Sequence, residues 1–320
     1  MRAERPFVVG RRRPNRNIDE AVLDVEGRLR AEGTTVQAAV VDHKREVRAS
    51  TTRAVKDGCD LVVAVGGDGT VVQVANALAG KRVPMAIVPT GTGNLLAGNL
   101  GVPKSVDESI RIALDGRERT IDLGRVQFGH KKARYFTVAC GLGYDADVMD
   151  RTGGDAKGRW GKLAYVASAI LETPKIHDVC HRITIDGVRS SIDGVRSSID
   201  AAQVLIANFG KIPPGIRVRG VRADDGILDV FIVQASGPLP ALLAGWEAIS
   251  STSPGVEPGG RVFRTQARKV RVDTTPHRKV EADGSVVGRT PVKVSIEPKA
   301  LIVMVSQQRG RGGRQDRAAS

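Results

Sequence analysis

The sequence predicts an α/β protein: an N-terminal domain built on a parallel sheet covered by helices, followed by a β-rich antiparallel second domain. Two observations carry this prediction. Over the first 120 residues, short apolar runs alternate with stretches whose apolar residues recur every three to four positions, joined by short turns. From about Ile121 the pattern changes, and strand-like runs dominate with two helix-like stretches between them. Alternation of the first kind places successive strands side by side in one parallel sheet, whose faces must then be covered by the intervening helices.

The elements follow in order. Arg5–Gly10 reads as a strand, and Asn17–Glu32 as a helix because Ile18, Val22, Val25 and Leu29 fall on one face. Thr34–Val41 is a strand and Arg45–Asp57 a helix. Asp60–Val65 is a short apolar strand that runs into Gly66-Gly67-Asp68-Gly69-Thr70. A helix over Val71–Ala79 and a strand over Met85–Val88 come next, then a second glycine-rich turn and another helix-like stretch. In the second domain the strands are Gly124–Phe128, Tyr135–Ala139, Arg182–Ile185, Ala201–Asn208, Ile227–Val233, Lys269–Asp273, Val292–Ile296 and Leu301–Val305, with helices over Lys162–Leu171 and Leu239–Ile249. The expected divisions are residues 1–122, 123–306 and a disordered basic tail over 307–320, with the last strand free to return to the first domain. A tandem duplication, Ile185–Ser191 repeated as Ile192–Ser198, carries an Asp-Gly turn signal in each copy and reads as a lengthened hairpin.

Composition narrows the class. Hydrophobic residues make up 41% and charged residues 26%, the balance of a chain that buries a core rather than a disordered or fibrous one. Aromatics at 3% leave no platform for stacking bases, so no nucleic-acid partner is expected. Three cysteines, widely spaced and odd in number, argue against a disulfide scaffold or a zinc site. The N-terminus has no apolar run of signal-peptide length, and no run reaches the roughly 20 residues of a membrane span, so a cytoplasmic location is expected. The net charge of +14 is concentrated at the ends: residues 1–16 hold six Arg and one Glu, and residues 307–320 four Arg and one Asp. Such ends suit peripheral contact with an anionic membrane surface. A homodimer stays open.

Chemistry concentrates in the two glycine-rich turns. In Gly66-Gly67-Asp68-Gly69-Thr70 the glycines let backbone N–H groups face one point and let a bulky anion approach, and the following helix adds its positive N-terminus. Asp68 would repel an anion unless a metal ion or a transferable proton accompanies it, and phosphoryl transfer supplies both. The alternative is a tight turn with Asp68 as a helix cap. Pro89-Thr90-Gly91-Thr92-Gly93-Asn94 follows a second apolar strand, so the two turns are expected to line the same sheet edge and hold a polyphosphate. There Thr90, Thr92 and Asn94 offer uncharged donors. Neither turn has Walker or dinucleotide-fingerprint spacing.

These stretches, Leu61–Thr70, Ala75–Leu78 and Val88–Asn94, resemble the catalytic domain of diacylglycerol kinases, sphingosine kinases and their bacterial lipid-kinase relatives. The likeness continues in Gly141–Ala146, Lys157–Tyr165, Ala223–Gly226 and Glu281–Gly284, in order along nearly the whole chain. The resemblance implies a nucleotide-binding domain of NAD kinase/diacylglycerol kinase type and a lipid-substrate domain. It implies ATP as co-substrate, Mg²⁺, and a lipid acceptor, foremost diacylglycerol. ATP would contact Gly67 through Gln73, and Thr92, within the set Gly66, Gly67, Asp68, Gly69, Thr70, Gln73, Thr90, Gly91, Thr92, Gly93 and Asn94. Asp68 would either place Mg²⁺ and phosphate or activate the lipid hydroxyl. A second Mg²⁺ would fall on Asp225 and the carbonyls of Arg222 and Ile227, where the other reading of Asp224-Asp225-Gly226 is a simple turn.

Three positions depart from the family pattern. An Asn-Pro turn expected after the first strand is replaced by Gly10-Arg11-Arg12-Arg13-Pro14, a threonine after the second strand by Val41 or Asp42, and the glutamate of Asp-Gly-Glu by Ser285. In bacterial relatives that glutamate resembles a general base, so its duty would pass to Asp68 or Asp283. The competing readings are a catalytically impaired lipid- or nucleotide-binding regulator, and an NAD kinase, which shares the Gly-Gly-Asp-Gly turn.

Overall fold

The computed structural model describes residues 3–14, 16–143, 180–187, 196–199, 203–212, 216–233 and 262–307. The chain divides into two compact units, one of residues 1–74, 82–119 and 302–320, the other of residues 75–81 and 120–301.

The first unit contains strands β1 (Pro6–Arg11), β2 (Gln37–Val41), β3 (Leu61–Gly66) and β4 (Met85–Pro89), with helices α1 (Ile18–Ala31), α2 (Lys44–Lys56), α3 (Asp68–Leu78), α4 (Leu95–Leu100) and α5 (Val106–Asp115). The strands pair in parallel in the order β4-β3-β1-β2, and the end of the chain's last strand adds at β4 with Val303 opposite Met85. Every residue of β3 and β4 is buried, which is why both read as unbroken apolar runs. From β1 the chain goes first to β2 on one side and then crosses to β3 on the other. The winding therefore reverses between β1 and β3, and their carboxyl ends, at Arg11 and Gly66, flank the position where open α/β sheets bind ligands.

Helix α1 starts where Asn17 caps it, accepting from Glu20 N at 3.4 Å. Its first turn is acidic and its last turn basic, complementing the helix dipole, and Ile18, Val22, Val25 and Leu29 are buried. Helix α3 begins earlier than its apolar spacing predicts. The Gly67 carbonyl already accepts from Thr70 N at 2.9 Å and Val71 N at 3.2 Å, so Asp68 and Gly69 lie inside the first helical turn rather than in a loop before it. Helix α5, capped by Ser105, is a helix the spacing did not single out.

The second unit is antiparallel. Its strands are β5 (Arg117–Gln127, entering from the first unit), β6 (Arg134–Phe136), β7 (Ala139–Gly143), β8 (Cys180–Gly187), β9 (Arg196–Ile199), β10 (Gln203–Ala207), β11 (Lys211–Ile212), β12 (Ile216–Arg217), β13 (Leu228–Val233), β14 (Val262–Thr275), β15 (Lys279–Ala282), β16 (Ser285–Arg289) and β17 (Val292–Val305). The main order is β16-β15-β7-β10-β13-β14-β17. Branched aliphatic residues fill its core, among them Val204, Ile206, Val230, Ile232, Val270 and Val294, around the fully buried Phe136. Phe136 fits because residue 124 is glycine: a Cβ there would lie 1.9 Å from the ring. The two copies of the duplicated heptapeptide reach the antiparallel pair β8–β9, with Thr184 opposite Arg196 and His181 opposite Ile199. Residues 188–195 between them lie outside the described residues. So do Tyr144–Ala146, Lys157–Tyr165, the helices expected over Lys162–Leu171 and Leu239–Ile249, and residues 308–320.

The α/β class with a parallel N-terminal sheet and a β-rich antiparallel second part is therefore the architecture adopted. Among the described residues, no helix is long and apolar enough to cross a membrane.

Candidate active site

The two glycine turns meet backbone to backbone. Gly66 stands opposite Pro89 across β3 and β4, and Thr90 N donates to Gly66 O at 3.1 Å. A Cβ on Gly91 would lie 2.6 Å from Gly67 Cα, and one on Gly93 would lie 2.5 Å from Asp68 Oδ2. Only glycine allows that approach. Asn94 is buried in the left-handed region at φ 47°, where its Oδ1 accepts from Gly91 N at 3.1 Å and its Nδ2 donates to Gly91 O at 2.7 Å. Its amide thus ties the second turn together. Thr70 is buried beneath Gly66, Gln73 and Thr90 are half-buried, and Thr92 is exposed.

Asp68 links the turns. It opens α3, yet its Oδ1 accepts from Leu95 N at 2.5 Å, the first residue of α4. The capping role weighed from sequence is therefore real, but the helix capped is α4. One carboxylate, two glycine turns and the N-terminus of α3 share the carboxyl edge of β3 and β4.

In the second unit, Asp283 sits at φ 46° in the β15–β16 turn and is buried. Its Oδ2 accepts from Thr137 N at 2.5 Å and Thr137 Oγ1 at 2.9 Å, and its Oδ1 from Val138 N at 2.8 Å and Ala139 N at 3.1 Å. Burial pushes its pKa up from the ordinary carboxylate value, and these four donors pull it back. Both oxygens are occupied in holding residues 137–139. Ser285 is half-buried at the start of β16.

Around Asp225, the buried Asp122 accepts from Gly226 N and Lys299 N, both at 2.7 Å, and its own N donates to Ala223 O at 2.7 Å. It fixes the loop carrying Arg222, Asp225 and Ile227. Asp225 Oδ1 accepts from Ile227 N at 3.1 Å, and the Arg222 guanidinium turns to Asp224 at 3.2 Å. The Asp225 pKa is raised, first by burial and further by Asp229 and Asp122. Among the described residues no three His, Cys, Asp or Glu side chains group as metal ligands. One carboxylate with two backbone carbonyls is nonetheless a hard-oxygen set that Mg²⁺ accepts when water completes it, and a cation would relieve the neighbouring negative charge.

Two models of protein families match this chain: the diacylglycerol kinase catalytic domain over residues 7–126, and the YegS C-terminal NAD kinase beta sandwich-like domain over residues 138–305. The chain belongs to the family that these two models describe together, a diacylglycerol kinase catalytic domain followed by a YegS C-terminal domain. It is 29% identical over 284 residues to a diacylglycerol kinase of Mycobacterium tuberculosis, covering 87% of each chain. To a probable YegS-like lipid kinase of Pectobacterium atrosepticum it is 26% identical over 288 residues, covering 83% of this chain and 91% of the relative. A crystal structure of a diacylglycerol kinase from Bacillus anthracis shares the fold with a TM-score of 0.69 at 18% identity, covering 95% of this chain and 97% of that one.

Within this diacylglycerol kinase family member, the structure brings forward residues that the motifs did not. Asp122 organises the Asp225 loop across 104 positions of sequence, and no local pattern marks it. Glu281, buried on β15, accepts from Gly284 N and so braces the same turn as Asp283. Lys44, at the start of α2, reaches the first turn of α3 together with Arg11: a Cβ on Gly69 would lie 3.4 Å from Lys44 Cε. At the replaced threonine position, Asp42 pairs with Arg12 at 3.3 Å.

Proposed function

We propose that this chain is an ATP-dependent lipid kinase that transfers the γ-phosphoryl group to a lipid hydroxyl, with diacylglycerol as the acceptor. The observation that carries this reading is the position of Asp68, a carboxylate held by α4 where two glycine turns meet. The Mycobacterium and Pectobacterium relatives, named as diacylglycerol and lipid kinases, support it.

In this reading the backbone N–H groups of Gly67 and Gly69 and the N-terminus of α3 cradle the phosphates, while the second turn, from Thr90 to Gly93, closes over them. Asp68 accepts the proton of the lipid hydroxyl as the new oxygen–phosphorus bond forms and the bond to the β-phosphate oxygen breaks. Mg²⁺ bound with the nucleotide supplies charge neutralisation for the transferring group. Asp283, with four donors on its two oxygens, serves as a brace, so the base duty rests on Asp68 alone. The experiment is ATP-dependent phosphorylation of a panel of lipids in mixed micelles with Mg²⁺. A phosphorylated diacylglycerol product is expected, and no product with any lipid, despite ATP binding, would favour the regulator reading. Repeating the assay on anionic vesicles tests the peripheral, cytoplasmic membrane association proposed from the basic ends. Activity there should fall steeply with salt.

Ser285 motivates that second reading. Serine takes up no proton at neutral pH, and a missing general base costs about 10²–10⁴ in rate. In that second reading, where the base is missing, Ser285→Glu is expected to raise kcat by about 10²–10⁴. An unchanged kcat would mean that Asp68 already suffices.

A further inference from the structure

Two large apolar side chains stand exposed among the described residues, Leu23 at 65% and Val286 at 40%. Their surroundings carry opposite charge. On α1, the positions one turn from Leu23 hold Asp19, Glu20 and Glu26. Val286 lies on β16, the strand that ends the sheet order of the second unit, and its neighbours are cations.

The β15–β16 hairpin and the β5–β6 turn build a groove of about 460 Å³ whose lining includes Phe128, Lys131, Lys279, Val286 and Arg289. Phe128 packs on the core of the second unit and lies against β16 because residue 288 is glycine: a Cβ there would lie 2.6 Å from Phe128 Cζ. Lys131 N donates to Phe128 O at 3.0 Å, so the turn returns the exposed Lys131 to the side of that ring. Across the hairpin, Lys279 stands opposite Arg289, which puts both on one face of the ladder. Among the described residues lining the groove there is no carboxylate. The acids of the hairpin do not offset its cations, since both are turned inward. Glu281 is buried and accepts from Gly284 N, and Asp283 is buried and holds residues 137–139.

An apolar tip beside a set of cations suits an anionic lipid interface, where the apolar side chain enters the headgroup boundary and Lys and Arg meet lipid phosphates. We propose that Val286 and the groove beside it form a docking surface for an anionic phospholipid membrane. The inference rests on the reading of the acceptor as a membrane lipid. It adds where the protein meets that membrane: on the β15–β16 and β5–β6 hairpins, besides the basic ends of the chain.

The test is co-sedimentation of the full chain, without ATP or diacylglycerol, with phosphatidylcholine vesicles that contain or lack phosphatidylglycerol. Wild type is expected to bind the anionic vesicles and to be released as salt rises. Lys131→Gln, Lys279→Gln and Arg289→Gln should each weaken binding about fivefold, the worth of one cation near such a surface. Val286→Asp should weaken it about tenfold, through a lost apolar contact and an added negative charge. Leu23→Asp should leave it unchanged. Val286→Trp gives a readout independent of affinity: on anionic vesicles its emission should shift to the blue and be quenched by doxyl-labelled lipid, while Leu23→Trp stays unquenched. Wild-type binding by the three cation variants and by Val286→Asp would overturn the docking surface and leave the kinase reading standing. Equal binding to neutral vesicles would overturn it as well. A Val286→Asp protein that turns from dimer to monomer, with vesicle binding unchanged, would assign the face to a second copy of the chain instead. Docking through these residues, with no lipid phosphorylated in mixed micelles, would keep the surface and sink the kinase reading.

Discussion

Asp68→Asn should fold like the wild type and lose about 10²–10⁴ in kcat, the usual worth of a positioned general base. Asparagine keeps the shape of the side chain and an acceptor oxygen for Leu95 N, so the 2.5 Å contact that caps α4 can persist and the two turns stay together. What it loses is the capacity to take up a proton. Single-turnover phosphorylation of a lipid acceptor measures the loss directly, and thermal unfolding shows whether the fold is intact. Asp68→Glu should fare no better, because an added methylene moves the carboxylate from the position set by its contact with Leu95 N. An Asp68→Asn enzyme with wild-type turnover would remove Asp68 from the proton path. The comparison with Asp68→Ala separates the two jobs of the residue. Alanine gives up both the proton acceptor and the cap, so it should cost stability as well as rate.

What could be read from the sequence was local. The strands at Pro6–Arg11, Leu61–Gly66 and Met85–Pro89 are apolar runs because both faces of the sheet are covered, and α1 announces itself through Asn17 and its buried stripe. The adjacency of the glycine turns followed from strand alternation alone, since β3 and β4 are successive βαβ strands. What could not be read depended on long-range pairing or on backbone detail. Glycines at 66, 67 and 69 suggested a loop up to Thr70, yet the Gly67 carbonyl already starts the helix, which moves Asp68 into its first turn. Asn94 looked like a nucleotide donor, but its left-handed backbone folds the amide back onto Gly91. Arg11 and Lys44 are 33 positions apart in sequence and approach Gly69 together because β1 ends and α2 begins on the same edge of one sheet. The Arg11-Arg12-Arg13 run gave no hint that its second member would be bound to two carboxylates while the Nε of its first meets no acceptor among the described residues.

Asp283→Ala should lower stability by about 3–5 kcal/mol, since several buried donors lose their acceptor together and each such group costs about 1–3 kcal/mol. The carboxylate reaches across 146 positions of sequence to Thr137, gathering the N–H groups of residues 137, 138 and 139 and one hydroxyl. Alanine at this position also inherits a backbone at φ 46°, which aspartate and asparagine tolerate better. Urea unfolding followed by circular dichroism measures the effect as a shift in midpoint at constant slope. Asp283→Asn is the informative partner. It keeps the outline and one acceptor oxygen but presents an NH₂ to donors that need an oxygen, so it should lose roughly half as much stability. Its kcat, measured well below the unfolding midpoint, should stay within a few-fold of wild type if Asp283 is a brace. A stable Asp283→Asn protein whose kcat falls 10²-fold or more, with the pH dependence of turnover altered, would instead return the base duty to Asp283. Together with Asp68→Asn, this variant distinguishes two carboxylates by their place: Asp68 is half-buried and holds Leu95 N at the glycine turns, whereas Asp283 is buried with both oxygens committed to the chain that it holds.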